Sequence, residues 1–173
     1  IRVKGEFPTD SADSLISRHL VEAAVSRDVE PMTVAPIWGL DPARFGGDRT
    51  AIAKRQGNVL IEPIKSWQGK DLMETVGIVL AEYEACSYMD RPSEICVDSI
   101  GIGAGVVDRL RELGLPARGV NVAESPSLGN RYQRLRDELW FKTREWFEAR
   151  DCHVPNQDEL ISELSSLKFK ILS

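Results

Sequence analysis

Two stretches of this chain end an apolar run in a carboxylate and follow it with glycine. The first runs from Val34 through Ile37-Trp38-Gly39-Leu40 to Asp41, where Pro42 and Gly46-Gly47 break the pattern. The second runs from Ser93 through Ile95-Cys96-Val97 to Asp98, followed by Gly101, Gly103 and Gly105. Short apolar runs bounded by such breakers read as buried strands. Open α/β sheets carry their chemistry just outside the carboxyl ends of their strands. Two carboxylates brought together there repel, so one takes up a proton or both hold a cation. That requirement constrains the fold more than any other feature of the sequence.

The remaining elements supply such a sheet. Residues 1–32 read as a lead-in, with a linker helix over Leu15–Ser26 that Asp13 or Ser14 caps and Glu30-Pro31 ends. The main domain, 33–173, opens with strands at Val34–Leu40, Ala51–Arg55 and Val59–Trp67, the last two joined by the turn Gln56-Gly57-Asn58. A helix over Leu72–Cys86, a strand at Ile95–Asp98, a helix over Val106–Leu113 and a strand at Ala117–Val122 follow. The chain then reads as helices over Tyr132–Ala149 and Gln157–Leu164 and a strand at Leu167–Leu172. Strands joined by hairpins run antiparallel, and strands reached through helices run parallel. The order therefore predicts an α/β domain: a mixed five-stranded sheet flanked by helices, with extra terminal elements. That is the ribonuclease H-like arrangement of the retroviral integrase superfamily. Its first and fourth strands are neighbours, so Asp41 and Asp98 are expected to face each other.

Composition narrows the chemistry. The 173 residues carry 22 basic and 27 acidic side chains, a balance that weighs against tight, autonomous nucleic-acid binding but leaves room for a local basic patch. No apolar run has the length of a membrane span and no leader opens the chain, so a cytosolic location is expected. Cys86, Cys96 and Cys152 are widely spaced, form no CxxC pair and have only His19 and His153 beside them. Reduced core cysteines are expected rather than a structural zinc site.

The acid pair suits Mg2+ or Mn2+, which prefer hard oxygen ligands. Two ions roughly 3.5–4 Å apart would stabilise both the attacking and the leaving oxygen of a phosphodiester. Asp48, across the Gly46-Gly47 loop, is a candidate auxiliary ligand, although Gly-Gly-Asp is also ordinary turn chemistry. The Gly101-Ile102-Gly103-Ala104-Gly105 run invites a dinucleotide reading, but its third glycine falls one place short, and Glu124, where an acid is required about twenty residues on, falls in a loop instead. A tight strand-to-helix turn is the plainer reading. In the long helix, Leu135, Leu139, the Lys142 stem and Trp146 mark the expected core face. Arg131 and Arg134 near its start, with Arg44, are the candidate DNA contacts.

The same residues carry a resemblance. Val3-Lys4-Gly5-Glu6-Phe7-Pro8, Gly39 to Asp48, Val97 to Gly105 and Tyr132-Gln133-Arg134-Leu135-Arg136-Asp137-Glu138-Leu139-Trp140 together resemble the nuclease domain of large terminase subunits, the DNA-packaging motors of tailed bacteriophages. The resemblance implies a ribonuclease H-like fold and Mg2+- or Mn2+-dependent cleavage of concatemeric double-stranded DNA; low sequence specificity is expected because no stretch resembles a base-reading element. It maps the first two catalytic acids onto Asp41 and Asp98, with Asp48 a supporting ligand. It implies an upstream ATPase domain in the same polypeptide, the portal and the small terminase subunit as partners, and a place at the procapsid portal in the host cytoplasm. The family's third acid lies in a segment expected beyond Ser173. Asp158, Glu159 and Glu163 are the weaker candidates within the chain. The competing readings are a Holliday-junction resolvase-like nuclease and a catalytically silent module docking on the portal.

Overall fold

Along the first core strand, β1 (Ile37–Asp41), Trp38 and Leu40 are buried while Gly39 and Asp41 are exposed. This two-residue period sorts the whole sheet into a packed face and an open one. A computed structural model describes residues 14–43, 47–129 and 131–169. In it β1 pairs antiparallel with β2 (Thr50–Gln56). Among the described residues the sheet also includes β3 (Val59–Leu60), β4 (Lys65–Trp67), β5 (Glu94–Asp98) and β6 (Ala117–Val120). Strand order is β3-β2-β1-β5-β6, with β4 also on β2 and with β1, β5 and β6 mutually parallel. The expected adjacency of the two acid-bearing strands is therefore present.

Two expected boundaries move. Val34 is 47% exposed and lies before β1, whose apolar pattern starts only at Ile37. The strand expected over Val59–Trp67 is two pieces, so the sheet has six strands rather than five. Between the pairs Arg55–Leu60 and Ile52–Lys65, β2 advances three residues and its partner five. The two extra residues bulge out around Pro63, which has no N–H to give a ladder. The β2–β3 hairpin turns at Gly57, whose φ of +56° suits the first central position of a primed turn.

The packed face carries Trp38, Leu40, Ile52, Ile95 and Val97 beneath α2 (Leu72–Glu84) and α3 (Gly103–Glu112). Asp71 and Glu74 close a reciprocal capping box at the start of α2, worth ~1 kcal/mol. On the same face Lys54 is 6% exposed, sits 4.5 Å above the Trp38 ring and pairs with Glu62 and Glu82. α2 and α3 share this face; the helix over Asp158–Ser166 stands over part of the other, where it borders a cavity with Asp41 and Ala51. The other face needs less cover because its central residues, Gly39, Ala51, Ala53 and Cys96, are small.

A second core lies beside the sheet. α1 (Arg18–Ser26) places Val21 and Ala24 against Phe147 of α4 (Leu135–Glu148) and Ile161 and Leu164 of α5 (Asp158–Ser166). The helix cap is Ser17, whose hydroxyl accepts the Leu20 N–H, rather than Asp13 or Ser14. Ser14 instead bridges Lys168. That bridge is what the described residues retain of the strand expected over 167–172, whose last residues lie outside them. α4 starts at Leu135 rather than Tyr132, because the Asp137 carboxylate accepts the Arg134 N–H and turns the chain there. Its buried residues are Glu138 and Phe147, while Leu139 is 41% exposed, which corrects the expected core face. Glu138 tolerates burial because Ser127 donates to it through both N–H and hydroxyl.

Candidate metal centre

Leu40 pairs with Val97, so the next residues, Asp41 and Asp98, end neighbouring parallel strands in register. Strand alternation puts both on the open face, away from the packed core. Each is fixed by its local turn. The Asp98 carboxylate accepts the Ile100 N–H at 3.0 Å, an Asx turn that leaves its other oxygen uncommitted. Gly101 follows with φ of +65°, and Gly103 lies so close that a Cβ there would stand 1.7 Å from the Asp98 carbonyl oxygen. A Cβ on Gly105 would meet Leu72 of α2 at 2.6 Å. The three glycines thus make a sharp strand-to-helix turn and a close helix pair, as the plainer reading expected. α3 begins at Gly103, three residues before Val106.

On the β1 side, Ala43 and Thr50 are held together. The Ala43 N–H donates to the Thr50 hydroxyl at 3.0 Å, and Asp41 pairs with Ala51. These contacts place Asp48 near Asp41. Asp41 is exposed at the strand end, but partial desolvation of its carboxyl, then the charge of Asp98, push it above its ordinary range; Arg136 pulls it down, and Asp48 adds a smaller upward push. Asp41 is thus a carboxylate surrounded by more negative charge than positive. Among the described residues no three His, Cys, Asp or Glu side chains converge at metal-holding spacing. The two strand-end acids thus stand as a pair, with Asp48 within electrostatic reach of Asp41.

Asp41 and Asp48 open onto a cavity of about 660 Å³ between the sheet edge and α5. Glu159 and Glu163, one helical turn apart, line its far wall; Asp158 does not. Arg49 also lines it, in a loose ion pair with Glu159 at 3.6 Å between half-exposed side chains.

The candidate DNA contacts fall differently. Arg44 lies outside the described residues. Arg131 and Arg134 are exposed in the turn before α4, with Arg131 lying over the Tyr132 ring at 5.6 Å. The cation whose field reaches Asp41 is Arg136. It sits in the first turn of α4, where its N–H donates to the Val122 carbonyl at 2.9 Å. Knowing that the helix starts at Leu135 would single it out, since a cation there opposes the helix dipole. Arg49 escapes sequence reasoning because it reads as an ordinary residue before a strand.

No family model matches the chain, and no curated protein matches it in sequence. Solved structures do. The nuclease domain of the large terminase subunit gp2 of bacterial virus Sf6, with manganese and beta-thujaplicinol, superposes with a TM-score of 0.69 at 18% identity, over 92% of this chain and 84% of that one. The large terminase nuclease from thermophilic phage G20c with bound magnesium gives 0.66 at 15% identity, over 94% and 85%. A large terminase from a thermophilic bacteriophage, in complex with ATP-gamma-S, gives 0.66 at 12% identity, covering 92% of this chain and 38% of that one. The chain has the ribonuclease H-like fold of those nuclease domains.

Proposed function

We propose that this is the metal-dependent endonuclease domain of a phage DNA-packaging terminase, cutting double-stranded DNA at the Asp41–Asp98 edge. One observation carries the reading: two carboxylates end adjacent parallel strands on the same open face, and Asp41 is held above its ordinary range by partial desolvation and by Asp98. A pair so placed is costly without a cation, and hard oxygen donors suit Mg2+ or Mn2+. The fold likeness supports the same reading, since solved relatives carry manganese or magnesium.

Asp41 and Asp98 would hold the ion or ion pair, with Asp48 adding negative charge beside them. Bound there, divalent ions supply an activated water and neutralise the leaving oxygen. The protein's own share is positional. The Ile100 N–H fixes one Asp98 oxygen so that the other is presented to the site. The Thr50 hydroxyl holds Ala43 at the start of β2, just after Asp48. The acidic cavity walls, Glu159 and Glu163, disfavour phosphate away from the acid pair and so keep DNA at the edge. No element among the described residues offers a recognition helix or ribbon for base edges, which fits cleavage of low sequence specificity. On this reading the partners are double-stranded DNA, an ATPase domain in the same polypeptide, the portal and the small subunit, meeting at the procapsid in the host cytoplasm.

Nicking of supercoiled plasmid with Mn2+, Mg2+ or EDTA tests the reading, beside thermal melts with and without Mn2+. Metal-dependent nicking, lost in both Asp41→Asn and Asp98→Asn, is the expected result, with a Mn2+-induced rise in Tm lost in the same variants. Nicking that survives both substitutions would overturn it. A chain that neither nicks nor gains stability from Mn2+ would favour the silent docking module.

A further inference from the structure

By backbone position, four charged residues fall in order along the carboxyl edge of the sheet. Arg49 immediately precedes β2, whose Ala51 pairs with Asp41 on β1. Asp98 on β5 pairs with Val120 on β6, and two residues later the Val122 carbonyl accepts the Arg136 N–H. Across the sheet the order is cation, acid, acid, cation. Neighbouring strands are ~4.8 Å apart, so three gaps from the β2 flank to the β6 flank span about 14 Å. At ~3.4 Å per nucleotide of one B-form strand, that is the length of about four nucleotides.

We propose that Arg49 and Arg136 are the phosphate-contacting residues of this site, gripping the DNA backbone from the two sides of the acid pair. The proposal rests on the nuclease reading and adds to it the residues that seat the substrate. Four observations favour these two arginines over the others. Among the described residues no carboxylate forms an ion pair with Arg136. A cation in the first turn of a helix also works against the helix dipole, a cost that a bound phosphate offsets. Arg49 faces the cavity beside Asp48, and its loose, half-exposed pairing with Glu159 is of the kind that contributes little and yields easily to a phosphate. Arg136 also has a fixed support: Leu135 and Arg136 donate to the Glu124 and Val122 carbonyls, and buried Glu138 clasps Ser127 in the same connection. The guanidinium is thus carried on a braced helix start, suited to bidentate phosphate recognition.

The test is equilibrium binding of a short fluorescent duplex in EDTA, which prevents cutting, across a salt series. The variants are Arg49→Gln, Arg136→Gln and the double substitution. Arg111→Gln serves as control, since Arg111 bonds Ala117 at the opposite end of β6. Removing either guanidinium from its phosphate should weaken binding about ten-fold at low salt. It should also flatten the slope of log affinity against log salt by about 0.9, the double variant by about twice that, and the control not at all. A merely structural role would lower affinity or stability without moving the slope. Unchanged slopes in both variants, with wild-type binding intact, would overturn the proposal while the plasmid assay still upheld the nuclease reading. A wild-type chain without salt-dependent duplex binding would overturn the proposal, and would overturn the nuclease reading only if plasmid nicking were absent as well.

Discussion

Gly103→Ala is the sharpest perturbation of this architecture. Gly103 is the first residue of α3, and alanine would ordinarily gain ~1 kcal/mol over glycine in a helix. Here its Cβ would stand 1.7 Å from the Asp98 carbonyl oxygen and 2.8 Å from the carbonyl carbon, whereas real Cβ atoms do not approach closer than 3.0 Å. The parts must therefore separate by at least 1.3 Å, the difference between 3.0 and 1.7 Å. Nothing flexible is available to move. The obstacle is backbone, pinned by the β5–β6 register and by the Ser99 N–H donated to the Val120 carbonyl at 3.0 Å. Overpacking costs ~1–3 kcal/mol, and against fixed backbone the upper part of that range, ~2–3 kcal/mol, applies, so after the ~1 kcal/mol helix gain a net loss of ~1–2 kcal/mol is expected. For a chain of this length that lowers Tm by about 2–8 °C. Cleavage should suffer further, because the displaced peptide is that of Asp98 itself, and a misplacement of ~1 Å costs about a hundred-fold. Gly77→Ala on α2 is the control: no heavy atom lies within 4 Å of its Cβ, so stability should rise by ~0.4–1 kcal/mol. Thermal melts and plasmid nicking read both quantities. A Gly103→Ala protein as stable and as active as the wild type would refute the close approach on which this account of the turn depends.

Two predictions concern pH. Folding raises the Asp41 carboxyl, so its ionised form opposes the folded state; the penalty is absent below the ordinary value of 3.8 and develops as pH rises through the raised one. In metal-free buffer Asp41→Asn should therefore melt higher than wild type at pH 7 and lose that advantage near pH 3, and an equal or lower Tm at pH 7 would contradict the crowding of charge at the site. Glu138 has the opposite sign. Ser127 chiefly holds its carboxyl down at about 2, against an ordinary 4.5, so its stabilisation is complete above the ordinary value and disappears as pH falls toward 2. Glu138→Gln should melt below wild type at pH 7 and converge with it near pH 2, with faster amide exchange over the β6–α4 connection; a pH-independent difference would count against the Ser127 clasp.

Strand order and the facing acids are legible in the sequence because both follow from local patterns. Apolar runs, breakers and helix-length spacers specify which strands are parallel, and parallel neighbours fix where Asp41 and Asp98 meet. Less legible is everything set by a contact between distant residues. The start of α4 depends on the Asp137 carboxylate and the return of the chain to Val122 and Glu124, so sequence alone points to Arg131 and Arg134 as phosphate candidates rather than Arg136. The buried face of α4 is easily misread because Glu138 counts as polar until Ser127 is seen to satisfy it. Ser17 does not stand out as the α1 cap because several capping residues crowd the same few positions. A single strand over Val59–Trp67 ignores what Pro63 does to a ladder, a rule available from the sequence alone.

The break at Pro63 has one further outcome. Ile64 loses its place in the ladder, and the Gln157 side chain takes it over, accepting the Ile64 N–H and donating to the Ile64 carbonyl, each at 3.0 Å. A primary amide has the same donor and acceptor as a peptide, so one side chain does what a seventh strand would otherwise do. Gln157 immediately precedes α5, which carries Glu159 and Glu163 on the cavity wall. The wall facing the acids thus hangs from the sheet by a replaceable fastener, while the acids themselves stand on strands woven into its middle. Such a division lets the outer wall be reshaped, in length or in charge, without retuning the pair it encloses.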